Sequence, residues 1–234
     1  MTLPHWMTGR PIAHRGLHHP GPGCPENSLA ALAAACAGGY ATEIDVQLTA
    51  DGEVVIFHDY SLKRLTGQPG RVAERRWTDM ARLRLKGGMQ HPPLLTDALQ
   101  RFPDLPFLIE LKMGNPDLAP AVAAILDTHT GPFAVQSFDP DLVRWFARHR
   151  PEWPRGLIAY ESLKFSLSAR EPRYRPEFLQ YCDPHFAAWN VKDLPAPAAV
   201  SERLPVLTWT VRTASDRRRA ELHASNMIFE GFRP

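Results

Sequence analysis

Residues 106–149 read PFLIELKMGNPDLAPAVAAILDTHTGPFAVQSFDPDLVRWFARH, and the fold follows from this stretch. Pro106 to Leu111 is a compact apolar run of strand length. Pro116-Asp117 then opens a helix that gathers Leu118, Val122, Ile125 and Leu126 on one face. Phe133 to Phe138 is a second strand, and Leu142, Trp145, Phe146 and His149 stripe a second helix. Strand and helix alternating at this spacing specify βαβ units and a parallel sheet. The same alternation continues in both directions. Upstream lie Pro11 to His14, a run of helix formers from Leu29 to Cys36 behind the N-cap pair Asn27-Ser28, and the strand Thr42 to Leu48. Asp51-Gly52 marks a hairpin turn with Val54 to Phe57 as its return arm. Downstream lie Arg155 to Ala159, Phe186 to Val191, Val206 to Val211 and Met227 to Phe229.

With the hairpin arm set aside, eight strands remain for the sheet. That predicts an α/β (β/α)8 TIM barrel, a single domain over residues 1–234 with a small insertion at residues 60–95. An open, doubly wound sheet is the alternative. The sequence ends at Pro234, just past the last strand, so no eighth helix is expected and another segment must cover that gap.

Composition narrows the function. The chain has 234 residues, 44% hydrophobic and 22% charged, with a net charge of +2, which is ordinary for a globular protein and excludes disorder. The longest weakly apolar run, Leu29 to Ala41, is about half the length a membrane span needs. The first ten residues lack the apolar core of a signal peptide. Cys24, Cys36 and Cys182 cannot form a complete disulfide set, which fits a reducing interior. Of 27 basic residues 22 are Arg, but they are scattered and accompanied by no aromatic stripe, so nucleic acid is not an expected partner. Together with the alanine-rich helices, this composition suggests a GC-rich bacterial genome and the cytoplasm. Oligomeric state leaves no trace in the sequence.

Polar residues collect at the C-terminal ends of the strands, where barrel enzymes place their active sites. His14 and Arg15 end the first strand, Glu43 and Asp45 share one face of the second, His58 and Asp59 close the hairpin arm, and Glu110 and Lys112 end the third. Taken alone, Glu43-Ile44-Asp45 on a strand is more often a solvated edge than a metal site, and His14 before Arg15 is usually a polar loop start. Together they place three carboxylates in one barrel mouth, where each pair at ~4 Å repels by about 4 kcal/mol at an effective dielectric of 20. A divalent cation relieves this while leaving the ligands charged, and all-oxygen ligation favours Mg²⁺ or Ca²⁺ over Zn²⁺. Three carboxylates, one dication, Arg15, Lys112 and one phosphodiester anion sum to zero charge.

These residues carry a resemblance. His14-Arg15-Gly16, Pro25-Glu26-Asn27-Ser28, Glu43-Ile44-Asp45-Val46, Thr49-Ala50-Asp51-Gly52, His58-Asp59 and Leu62-x-Arg64-Leu65-Thr66-Gly67 resemble the glycerophosphodiester phosphodiesterase family in order and spacing. Weaker similarity continues through Leu94-Leu95 with Leu99, Glu110-Leu111-Lys112, Gln136-Ser137-Phe138 and Trp209-Thr210-Val211. The resemblance implies a TIM barrel that splits a glycerophosphodiester into glycerol 3-phosphate and an alcohol. It implies Glu43, Asp45 and Glu110 as ligands of one divalent cation, and His14 and His58 as the acid/base pair. Arg15 and Lys112 would contact the phosphate, Glu26 would sit close to the metal or substrate, and Trp209 would shape the glycerol pocket. Three departures stand out: Arg212 in place of Asn, Glu230-Gly231 in place of Thr-Asp, and the missing terminal helix. None of them is expected to touch the metal or the histidines.

Other functions remain on the same scaffold: a lysophospholipase D, a non-catalytic phosphodiester-binding barrel, and a metal-dependent aldolase. Two mouth histidines beside Arg15 and Lys112 favour diester hydrolysis over the last two. Against a lysolipid substrate stands the insertion, where Trp77, Met80, Leu83 and Leu85 are expected to dock one short helix on the barrel and leave no free apolar face. His18 and His19, in the loop beside the site, are assigned no role.

Overall fold

The computed structural model describes residues 2–19, 23–86, 88–161 and 175–234. Among them one sheet contains β1 (Ile12–Ala13), β2 (Ala41–Leu48), β3 (Val54–Ile56), β4 (Phe107–Leu111), β5 (Phe133–Ser137), β6 (Arg155–Ala159), β7 (Phe186–Asn190), β8 (Val206–Val211) and β9 (Asn226–Phe229). The order is β1-β9-β8-β7-β6-β5-β4-β2, and β1 pairs back onto β2, so eight parallel strands close a TIM barrel. That closing pair excludes the open sheet. The antiparallel β3 is the hairpin arm. Because β1 covers only Ala41 and Thr42, the same edge of β2 is free further along, and β3 takes it from Val46 to Leu48.

The helices are α1 (Trp6–Gly9), α2 (Leu29–Ala37), α3 (Lys63–Thr66), α4 (Trp77–Met80), α5 (Leu95–Arg101), α6 (Leu118–Leu126), α7 (Pro140–His149), α8 (Glu177–Cys182), α9 (Ala198–Ser201) and α10 (Ala214–His223). Local signals fix several starts. Ser28 accepts the Ala31 N–H at the head of α2, Asp139 caps α7 ahead of Pro140, and Thr213 and Asp216 cap α10 reciprocally. Of the expected pair Asn27-Ser28, only Ser28 caps.

Side chains alternate across the barrel wall. Ile44, Val46, Phe107, Ile109, Leu111 and Val135 face outward onto Leu95, Leu99, Leu118, Val122 and Leu126. Ile12, Leu108, Ala134, Ile158, Phe186, Leu207 and Ile228 form an apolar interior, and Met7 of α1 is buried among them. Asn226 Nδ2 donates to the carbonyls of Met7 and Arg10, both at 2.8 Å, which pins the N-terminal segment to the start of β9. One strand position beyond this floor the inward face turns polar, with His14, Asp45, Glu110 and Gln136 all buried.

No helix follows β9 among the described residues. Tyr40 and Phe232 cover Phe229 instead, with ring centroids 4.9 and 5.6 Å from it, so other segments do fill the gap. The insertion differs from expectation. Its helix α4 ends at Met80, and Leu83 and Leu85 follow as irregular chain. These residues join Leu62, Leu65, Val72 and Phe57 in a satellite core over β3, separate from the main barrel core. No described helix is long and apolar enough to cross a membrane, and all three cysteines are free.

Gly156 pairs with Phe186, and a Cβ at Gly156 would lie 2.1 Å from that ring. Phe186 is fully buried and has nowhere to withdraw. Gly156→Ala is therefore expected to destabilise the protein by about 1–3 kcal/mol, the usual cost of overpacking. Urea denaturation checks this, and an unchanged midpoint would show slack in the barrel floor.

Candidate functional site

The C-terminal mouth of the barrel holds a cavity of about 500 Å³ with two unlike walls. His14, Arg15, Glu43, His58, Glu110 and Lys112 line one side, and Phe138, Ile158, Tyr160 and Trp209 the other. Parallel register sets the charged wall. Asp45 sits opposite Glu110 across β2 and β4, and Glu43, two residues earlier, shares the Asp45 face. One carboxylate oxygen from each of Glu43, Asp45 and Glu110 lies within 4.8 Å of the other two, and all three residues are buried.

Charge governs what this cluster does. Burial, then the neighbouring Asp45 and Glu110, push the Glu43 pKa well above the carboxylate range. Burial alone would raise Asp45 too, but His58, Lys112, Arg15 and a 2.8 Å hydrogen bond from Asn27 Nδ2 hold it well below its usual value. Lys112 Nζ donates to Glu110 Oε1 at 2.7 Å and to Asp45 Oδ1 at 3.5 Å. Burial opposes its charge, yet those two carboxylates raise its pKa. Three buried, converging, hard oxygen donors with one of them driven towards protonation are a donor set that fits a divalent cation.

The two histidines stand in different settings. Burial, followed by the nearby Arg15 charge, pushes the His14 pKa down to about 4, against the opposing pull of Glu230. Neutral His14 is hydrogen bonded through Nδ1 to Glu230 Oε2 at 2.7 Å, and the same oxygen accepts from Arg212 Nη2 at 2.8 Å. Glu230 therefore does touch a histidine, contrary to the sequence expectation, and both departures, Arg212 and Glu230, meet at this point. His58 is held through Nδ1 by Asp59 Oδ1 at 2.6 Å, and its Nε2 lies 4.0 Å from Asp45. With the proton on each Nδ1, as its carboxylate partner favours, each Nε2 is an acceptor.

Arg15 follows β1 in a left-handed turn, φ 57°. Its backbone N–H donates to Glu43 Oε2 at 3.0 Å and its Nη1 to Glu26 Oε1 at 2.7 Å, while Nε lies 3.4 Å from Asp45 without a hydrogen bond. Burial would raise Glu26, but hydrogen bonds from Arg64 and the Arg15 charge lower it to about 2. Trp209 stands edge-on to Phe138 at 5.4 Å and donates Nε1–H to the Ala188 carbonyl.

All nine residues expected from sequence thus border this mouth directly or touch a residue that does. Sequence reading missed Asn27, taken as a helix cap, and Arg64, whose motif was quoted without a role for the side chain. It missed Tyr160 as well, whose only signal was its place two beyond Ile158 on an inward face.

With the geometry established, comparison gives the class. Residues 14–224 match the family model described as the glycerophosphoryl diester phosphodiesterase family, and the chain belongs to that family of phosphoric diester hydrolases. A phosphodiesterase from Oleispira antarctica, solved with the product sn-glycerol-3-phosphate, superposes with a TM-score of 0.78 at 23% identity, covering 96% of this chain and 93% of that one. Among curated relatives, glycerophosphodiester phosphodiesterase 1 of Bos taurus is 40% identical over 73 residues, 31% of this chain and 21% of its own length. Lysophospholipase D of Rattus norvegicus is 30% identical over 131 residues, 50% of this chain and 40% of its own length. The matched stretches thus span less than half of these relatives.

Two depressed pKa values, those of His14 and Glu26, each make a separable contribution to the pH response. His14 titrates at about 4 rather than 6.5, and Glu26 at about 2 rather than 4.5. In each case the unfolded chain takes up the proton first, so acidification favours unfolding. The contribution of His14 is expected to be complete above pH 6.5 and to be lost towards pH 4, and that of Glu26 to be complete above pH 4.5 and to be lost towards pH 2. Urea midpoints at about pH 7 and about pH 5 check the first window, where His14→Gln should flatten the loss. An equal loss in that variant would contradict the assignment.

Proposed function

We propose that this chain, acting as one domain in a bacterial cytoplasm, hydrolyses a water-soluble glycerophosphodiester to glycerol 3-phosphate and an alcohol. One observation carries the reading: a three-carboxylate cluster, two carboxylate-oriented histidines, Arg15 and Lys112 all face one cavity. The family membership and the product named for the Oleispira antarctica structure support it.

Glu43, Asp45 and Glu110 would hold the divalent cation, Mg²⁺ or Ca²⁺. When bound there, it supplies charge neutralisation for the phosphoryl oxygens. Arg15 and Lys112 complement the remaining negative charge, which grows as the phosphorus centre becomes five-coordinate. Both side chains are engaged by carboxylates in the resting site, so their charges are already positioned at its edge. His14 and His58 divide the proton transfers. One Nε2 accepts the proton of the attacking group, water or the neighbouring glycerol hydroxyl, and the other histidine, protonated, donates to the departing alkoxide. On the glycerol-hydroxyl route the product is a cyclic phosphate, which water then opens to glycerol 3-phosphate with the histidine roles reversed. Burial keeps His14 neutral at pH 7, so its Nε2 is available to accept a proton, and Glu230 stabilises the imidazolium once formed. The apolar wall of Phe138 and Trp209 receives the carbon face of the glycerol.

A soluble substrate fits the insertion. Met80 and Leu85 are buried in its satellite core and Trp77 and Leu83 pack against it, which leaves no channel of these residues for an acyl chain.

The test is glycerol 3-phosphate release from glycerophosphocholine. Release is expected to stop with a chelator and to return with Mg²⁺ or Ca²⁺. His14→Ala and His58→Ala are each expected to lower kcat by about 10²–10⁴-fold, the span of acid/base groups, with KM little changed. Full activity in either variant refutes its role. A higher kcat/KM for lysophosphatidylcholine below its micelle concentration would instead support a lysophospholipase D.

A further inference from the structure

Arg64, on α3 in the insertion, spends four hydrogen bonds on two carboxylates. Its Nε and Nη2 donate to Asp59 Oδ2 and Oδ1 at 2.6 and 2.8 Å. Its Nη1 and Nη2 donate to Glu26 Oε2 and Oε1 at 2.7 and 2.8 Å. Each carboxylate has a second partner on the cavity wall. Asp59 Oδ1 also receives His58 Nδ1, and Glu26 Oε1 also receives Arg15 Nη1. Two chains of contact, one ending on the proposed acid/base histidine and one on the proposed phosphate-binding arginine, therefore share a single guanidinium.

We propose that Arg64 is a positioning residue that fixes His58 and Arg15 together, through Asp59 and Glu26. The proposal rests on the catalytic reading above. Its physical basis is the fork geometry of arginine. A planar group with five N–H donors can bracket two carboxylates side-on at once, which the point charge of a lysine ammonium cannot do. Without that fork, Asp59 and Glu26 lose the one cation they share, and with it the restraint that aims their inner partners. Neither carboxylate is fully solvated: side-chain exposure is 12% for Glu26 and 21% for Asp59, against 47% for Arg64. Arg64 thus reaches in from the exposed side of the insertion, and this gives the insertion a role in the site that its satellite core alone does not.

The experiment compares wild type, Arg64→Lys and Arg64→Ala, all checked for equal folding by circular dichroism. For Arg64→Ala, kcat/KM for glycerophosphocholine is expected to fall about 10–100-fold, as for other groups that orient ligating or catalytic side chains. The loss should be split between a lower kcat, from His58, and a higher KM, from Arg15. Arg64→Lys should recover little of it. Because the position is half exposed, methylguanidinium at millimolar concentration should restore activity to Arg64→Ala and not to Arg64→Lys. An active wild type with an equally active Arg64→Ala, or with a fully active Arg64→Lys, overturns the proposal. Side-chain nitrogen resonances supply a readout independent of turnover. Displacement of both the His58 ring and Arg15 guanidinium signals in Arg64→Ala supports the shared clamp, and displacement of one or neither overturns it. An inactive wild type would refute the catalytic reading instead, and the resonances would still decide the clamp.

Discussion

Mutual repulsion among Glu43, Asp45 and Glu110 is the constraint around which the upper half of this barrel is arranged. All three are buried, and one oxygen of each lies within 4.8 Å of the other two. Each charge pair at such a distance costs several kcal/mol, roughly 4 at an effective dielectric of 20, and a domain has only about 5–15 to lose. The two cations nearest the cluster, Lys112 and Arg15, answer to this. Lys112 Nζ sits on Glu110, the Arg15 guanidinium lies 3.4 Å from Asp45 while its backbone N–H donates to Glu43, and Asn27 adds a neutral donor to Asp45. The compensation is uneven. Asp45 is held well below its ordinary pKa while Glu43 is driven well above it, so the cluster taken alone is short of positive charge.

The lower half of the barrel makes this concentration of charge possible. Its floor is filled by Ile12, Leu108, Phe186, Leu207 and Met7, with Gly156 leaving the space that the Phe186 ring occupies. Water is excluded from below, and the polar positions one step up each strand open on the mouth alone. Strand register then does the rest. A slip of one residue between β2 and β4 would turn Glu110 into the helix layer and dissolve the cluster. The two mouth histidines come from different elements, the ends of β1 and of the hairpin arm, yet both are aimed in the same way, by a carboxylate on Nδ1.

Much of this was legible in the sequence because the signals are local. Strand alternation, the turn at Asp51-Gly52 and the two-residue spacing in Glu43-Ile44-Asp45 each depend on a few neighbouring residues. Three kinds of feature were not. The helix α10 carries almost no apolar stripe, with only Asp216 and Ala220 buried, so its pattern does not reveal it. The docking of Met7 depends on Asn226 at the far end of the chain. The contacts of Glu230 with His14 and of Arg64 with Glu26 span 216 and 38 residues, and no periodicity encodes which charge meets which. Arg212 and Glu230 read in sequence as separate departures at the rim, and only the fold joins them into one hydrogen-bonded pair.

The central claim is that the carboxylate cluster exists to hold a divalent cation. Equilibrium dialysis against millimolar Mg²⁺ or Ca²⁺, followed by elemental analysis, tests it without reference to turnover. The account predicts one tightly retained cation per chain in the wild type and a large loss of retention in Glu43→Gln. A wild type that retains no cation above the dialysis background, or a Glu43→Gln protein that retains it equally well, would contradict it.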